Sequence, residues 1–236
     1  SYVNQNIFIA VSNSVLAYAV LSLFQKWGAS FYVSFIIILT NYYFLVLYIP
    51  AERLKFGFIF LAFSLINTNS KKFFILFMLA VVAHVQVIIV YASIFTSYLI
   101  KVFLGKIRSR LVYLFPFIIS VPLYLMSDQI FNKYTDYTIY GGMVGMWKTA
   151  VFFLLSMYYS KDKLETISLF AVLLVAVFLV GGIRINIYSY FIFLYYGLQL
   201  KGGRNYGVAI TSIYYAYGSL IFIAHIIQYG NGFVVN

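Results

Sequence analysis

Apolar residues run along this chain in long blocks separated by short polar breaks. Nine blocks stand out, at 5–24, 31–49, 54–67, 73–100, 111–127, 147–160, 165–183, 185–200 and 205–229. Wound as helices, blocks of roughly 20 apolar residues match the ~30 Å hydrocarbon core of a bilayer. Strands of a membrane barrel would alternate in period two, and these blocks do not. The pattern predicts an all-α, polytopic integral membrane bundle of about nine transmembrane segments, forming a single domain over 1–236. The breaks include "QKWGAS", "PAERLK", "NTNSKK", "KVFLGKIRSR", "SKDK" and "KGGRN". Connections this short make sequential helices antiparallel. Block 54–67 is short for a span and 73–100 is long. A re-entrant or in-plane piece there would change the alternation.

Composition strengthens the membrane reading. The chain of 236 residues is 64% hydrophobic and only 9% charged, where a soluble domain carries roughly 25% charged residues. The net charge of +11 does not point to nucleic acid, because Lys and Arg sit in short loops and form no basic face. Cysteine is absent, which excludes disulfides and thiolate metal sites. Two His and five acidic residues, none at ligand spacing, leave no metal site to predict, and no cofactor is expected. The first residue is Ser1 and no signal peptide is visible, which fits a piece of a longer polypeptide.

The basic loops set an orientation. Lys101 with "KIRSR", then "SKDK" and "KGGRN", all face the cytoplasm if the helices alternate from residue 101 onward. The 128–146 loop, "SDQIFNKYTDYTIYGGMVG" with Ser127, then lies outside, as does the region of Arg184. Continuing the alternation backward puts Lys71 and Lys72 outside and Arg53 inside.

Arg184 is the one charged residue between Glu165 and Lys201, in 35 otherwise uncharged positions. One helix of that length would measure about 52 Å, far more than the ~30 Å hydrocarbon core. Gly181 and Gly182 can break it. Two spans therefore meet at an external turn that carries Arg184. The bland role is snorkelling to the headgroups. Yet external loops are poor in Lys and Arg, and a guanidinium in such a place suits gripping an anion.

Three further places could carry chemistry. In "YIPAERLKFGF", Pro50 opens a helix whose first turn holds Glu52 and Arg53, with Lys55 reading as a membrane anchor. His84 lies eleven residues into the 28-residue block 73–100, near the middle of the membrane. Ionisable side chains at that depth face a cavity or a partner, or bond a backbone carbonyl. Gln86 falls on another face of the same helix, about 200° away. His225, closer to a span end, reads as structural. The 128–146 loop holds Asp128, Lys133, Asp136, Tyr137 and Tyr140, residue types that stack on and hydrogen-bond to sugars, although interfacial tyrosines in a solvated loop look the same.

"ERLKFGFIFLAFSLINTNSKKFFILFMLAVVAHVQVIIVYASIF" resembles the core of the Wzy/EpsG-like polysaccharide polymerases. Such proteins often show an Arg, an apolar helix, a small basic turn, and an apolar helix with "A-x-x-x-H" or "A-x-x-H". Here these are Arg53, Lys71 with Lys72, Ala80, Ala83 and His84. The late Arg184 followed by a Tyr-rich helix fits as well. Leu54 and Val85 stand where the family commonly has Gln and a small residue. The resemblance covers roughly residues 30–230, and members are typically longer.

It implies a multi-helix fold like the C-type glycosyltransferases, multi-pass in the bacterial inner membrane. It also implies a metal-independent glycosyltransferase. That enzyme joins oligosaccharide repeat units carried on undecaprenyl diphosphate, at the periplasmic face, in O-antigen, capsule or exopolysaccharide synthesis. Arg53 and Arg184 would hold the diphosphate, His84 or Asp136 would take the acceptor proton, and Tyr137 and Tyr140 would lie near sugar. The expected partners are the lipid-linked glycan, membrane lipid and a chain-length regulator protein, with no nucleic acid. A lipid-linked oligosaccharide flippase or other transporter, or an O-antigen ligase, would share the need for buried cations. A flippase should carry internal repeats, and none is visible.

Overall fold

The computed structural model describes residues 5–68, 71–104, 142–180 and 182–230, with the side chains of 142–145, 178–180 and 182–184 left aside. The chain is all-helical over these residues. Its helices are α1 (Gln5–Lys26), α2 (Phe31–Thr40), α3 (Tyr42–Tyr48), α4 (Glu52–Ile66), α5 (Lys71–Ala83), α6 (Val87–Phe103), α7 (Gly142–Tyr159), α8 (Lys163–Val180), α9 (Gly182–Gln199) and α10 (Tyr206–Tyr229). A 3₁₀ turn, Lys201–Gly203, precedes α10. Among the described residues two helical stretches are long and apolar enough to cross a membrane, Gln5–Lys26 and Lys201–Tyr229; α2 and α3 make a third if the bent pair is one span. Block 111–127 lies outside the described residues.

Three expected elements come out differently. Block 31–49 is two helices bent by 63° at Asn41. Block 73–100 is two helices, α5 and α6, parted at His84, Val85 and Gln86. The last part of the 128–146 loop is helical, because α7 begins at Gly142. Neither broken block has Pro or Gly at its break, so composition gave no sign of either. In the 35-residue run α8 extends to Val180 and α9 begins at Gly182, and Gly181 between them lies outside the described residues.

The helices group into two compact units, residues 1–84 with 197–236, and residues 85–196. In the first, buried residues of α1 follow one helical stripe, Ser12, Leu16, Ala19, Val20 and Leu23. That stripe packs on α4. Two contacts fix the direction. Lys55 near the start of α4 reaches Ser12 Oγ at 3.3 Å. Lys26 at the end of α1 donates to the carbonyls of Leu65 and Ile66 at 3.0 and 2.7 Å. The two helices run parallel, and the Lys26 ammonium satisfies two of the carbonyls that the C-terminus of α4 leaves open. The bent pair α2–α3 carries the chain back between them.

The bend at Asn41 frees backbone groups inside an apolar bundle, where each must find a partner. Asn41 Oδ1 accepts from the Tyr43 amide at 2.9 Å. The Thr40 carbonyl accepts the Ser219 hydroxyl of α10 at 2.7 Å. Tyr215 of α10 donates to the Tyr43 hydroxyl at 3.2 Å, and the two rings meet tilted with centres 4.7 Å apart. At the other end of α10 the 3₁₀ turn docks on the α1–α2 connection, where the Gly202 carbonyl accepts from Ser30 N at 2.9 Å.

In the second unit α8 packs on α6 and α7. Asp162 caps α8 by accepting from the Glu165 amide at 3.1 Å. Lys101, at the end of α6, lies 2.5 Å from Glu165 and 3.5 Å from Asp162. Burial lowers the pKa of this ammonium, but the two carboxylates outweigh it and leave the pKa raised. Buried hydroxyls tie α7 to α9, with Thr149 donating to Asn186 Oδ1 at 3.0 Å and lying 3.1 Å from Ser189 Oγ. Phe152 stacks on Phe193 at 5.8 Å and meets the Tyr190 ring at a tilt, 5.4 Å between centres. From Ile185 to Leu194 every residue of α9 is buried, as expected of a helix that is apolar all round.

Gly203 has φ +84°, and a Cβ there would stand 2.9 Å from both Leu198 Cδ2 and Val33 Cγ1. Gly230 ends α10 with φ +72° and open space around it. Gly203→Ala is expected to cost about 2–3 kcal/mol, combining backbone strain with a clash. Gly230→Ala is expected to cost about 1 kcal/mol, from the backbone alone. Thermal melting of the two variants in nanodiscs checks the order, and equal costs would refute the packing at Gly203.

Candidate functional site

The lengths of α4 and α5 place Arg53 and His84. The two helices pack together, and the chain turns between Ile66 and Lys71. Thirteen residues separate Ile66 from Arg53, and thirteen separate Lys71 from His84, each about 20 Å of helix. A hairpin of equal arms brings Arg53 and His84 to one level, at the end of the first unit remote from Lys71 and Lys72. Arg53 is exposed in the first turn of α4, beside the exposed Glu52. His84 is half-buried, at the break rather than inside a helix, with its amide donating to the Ala80 carbonyl at 3.0 Å.

The remote end of this unit is strongly basic. Lys26 lies at the C-terminus of α4, Lys71 and Lys72 follow it, and Lys201 and Arg204 flank the turn that docks beside Ser30. Five cations share this end. The alternation expected from sequence put Lys71 and Lys72 on the opposite side from "KGGRN"; the packing puts them together. Arg53 then lies opposite the basic end.

The second unit repeats the pattern separately. Lys101, Lys161 and Lys163 gather where α6 ends and α8 begins. The eighteen residues of α8 carry the chain about 27 Å away from them before α9 starts. Arg184 falls in the first turn of α9, two residues before Asn186. Its backbone is therefore at the end away from those lysines, with the exposed Lys148 at the level of Asn186. The Arg184 side chain, and Asp136, Tyr137 and Tyr140, lie outside the described residues.

Lys55 is the residue that sequence reasoning misplaced. It is no membrane anchor: its side chain is 1% exposed. The ammonium donates to Ser12 Oγ at 3.3 Å and to the Tyr48 carbonyl at 3.5 Å. The Asn13 amide donates to the same carbonyl at 3.2 Å. The signal was present in the spacing. Lys55 shares the α4 stripe with Phe58, Ile59 and Ala62, all buried, whereas Arg53 falls two positions off it.

Among the described residues no group of three or more His, Asp or Glu could hold a metal ion. Comparison with protein-family models, curated proteins and solved structures found no match to this chain.

The shared level of the basic residues makes a topological prediction. The chain has no cysteine, so single cysteines report cleanly. In bacterial cells, cysteine at Lys72 and at Arg204 is expected to resist a membrane-impermeant maleimide until the membrane is opened. Cysteine at Arg53 is expected to react in intact cells. Labelling of positions 53 and 204 from the same side would overturn the arrangement.

Proposed function

We propose that the chain is a membrane glycosyltransferase that joins oligosaccharide units carried on a lipid diphosphate. In this reading it works at the periplasmic face of the bacterial inner membrane as a multi-pass protein, and its product is O-antigen, capsule or exopolysaccharide. The observation that carries the reading is the convergence of Arg53 and His84 at the end of the α4–α5 hairpin opposite the cations. The reading also assigns the diphosphate to Arg184, in the first turn of α9 in the second unit. An enzyme acting on a lipid-linked donor needs a cation and a proton acceptor at one membrane face, and Arg53 with His84 offers both at one end of the first unit.

The donor glycan is bonded through its anomeric carbon to an oxygen of the diphosphate. A hydroxyl at the non-reducing end of a second unit attacks that carbon. The new carbon–oxygen bond forms as the bond to diphosphate breaks, and the leaving oxygen takes the electron pair. Arg53 and Arg184 neutralise the charge that develops on it. His84 accepts the hydroxyl proton, a task suited to an imidazole near neutral pH. Asp136 is the other proton acceptor this reading names, with Tyr137 and Tyr140 stacking on sugar.

His84→Gln is expected to lower polymerisation by roughly 10²-fold, the usual contribution of a positioned base. Arg184→Ala is expected to leave single units on the cell surface in place of long chains. Gel profiles of surface polysaccharide read both. Long chains from Arg184→Ala would sink the diphosphate role. Loss of all surface glycan, single units included, would instead favour a flippase.

A further inference from the structure

The Lys55 ammonium carries a full charge into the apolar contact between α1 and α4. Charges in such places are costly and are kept where they are paired. Here no carboxylate lies within 4.0 Å among the described residues, whose ion pairs all belong to Lys101. Glu52, one turn earlier, is exposed and acts on Lys55 only through space, not by contact. The two hydrogen bonds that Lys55 makes, at 3.3 and 3.5 Å, are longer than a charged donor ordinarily accepts. Its second acceptor, the Tyr48 carbonyl, is shared with Asn13. Beside it the Asn13 Oδ1 atom is buried without a hydrogen-bond partner. The cluster therefore holds one ammonium with no carboxylate in contact and, among the described residues, one amide oxygen with no donor.

We propose that Lys55 is the binding cation for the phosphoryl oxyanion of a membrane lipid. The level of Lys55 favours this. It stands two residues from Arg53, at the end of the first unit where the described cations of the opposite end are absent, and a four-carbon stem lets the ammonium swing by several ångströms. The incoming oxyanion supplies an anion in direct contact, which the exposed Glu52 does not. A hydroxyl or protonated phosphoryl oxygen of the same headgroup supplies the donor that Asn13 Oδ1 lacks. Lys55 thus joins Arg53 as a second cation at this face. The inference rests on the lipid-diphosphate reading only for which lipid it is; the oxyanion chemistry stands on Lys55 itself.

The test is thermal melting of the full chain in detergent with three probes: a short-chain prenyl diphosphate, phosphatidylglycerol and inorganic pyrophosphate. Prenyl diphosphate well above its Kd is expected to raise the wild-type midpoint by about 4 °C. Lys55→Met, similar in length and uncharged, is expected to lose that rise. The same variant without ligand is expected to melt at or above the wild-type temperature, since it removes an unneutralised buried charge. Ser12→Ala keeps the charge and is expected to keep the rise. A response to phosphatidylglycerol equal to that of prenyl diphosphate supports the oxyanion site and makes its ligand a general phospholipid. A rise with pyrophosphate alone overturns the lipid ligand. The proposal also fails if no probe shifts the wild type, or if Ser12→Ala loses the rise. It fails if Lys55→Met keeps the rise, or if both Lys55→Met and Lys55→Gln fail to fold. Long surface polymer from Arg184→Ala would refute the polymerase reading and leave these melting shifts unchanged, so the two fail separately.

Discussion

Every backbone group freed inside this chain has to be hydrogen-bonded by the chain itself. With apolar residues in long blocks there is little water to do it, and the fold follows from where that requirement can be met. The bend at Asn41 is possible because Asn41 caps the next turn and Ser219 takes the Thr40 carbonyl. The C-terminus of α4 is possible because Lys26 reaches its last carbonyls. The start of α8 depends on Asp162. Each break is thus a contract between two helices, and each contract fixes their relative direction. Parallel α1 and α4, and α10 docked on the bend, come from these few contacts more than from general apolar packing, which has no preferred register.

The same requirement explains why the charges separate. A lysine at a helix end can satisfy carbonyls and still reach the interface, as Lys26 does. A lysine in mid-stripe cannot. Lys55 therefore has to be neutralised in place or hold its charge for something else, and its contacts do not neutralise it. Arg53, off the stripe, has no such constraint and is exposed. Two cations two residues apart on one helix are placed in different environments by the helical period alone.

Much of the fold was legible because it depends on block length and period. The all-helical class and the apolar stripes follow from those two quantities. The breaks at Asn41 and at His84–Gln86 were not legible. Neither contains Pro or Gly, and in a single sequence an Asn or His inside an apolar run looks the same whether its helix continues or stops. What stops the helix at Asn41 is a partner 179 positions away, Ser219 against Thr40. Local pattern cannot contain that.

The candidate site divides along the same line. Arg53 was legible as a residue type at a helix start, and His84 as an ionisable group deep in a block. Their common level was not, because it depends on α5 ending at Ala83 rather than running on to residue 100. Had the block stayed one helix, His84 would sit partway along it and a proton acceptor there would face a helix wall. Stopped at His84, α5 runs back as far as the level of Arg53, and the break itself delivers the imidazole to the end where Arg53 stands. A helix break in an apolar segment costs hydrogen bonds, and the return on that cost here is position: it turns a residue buried by sequence into one at the mouth of a hairpin.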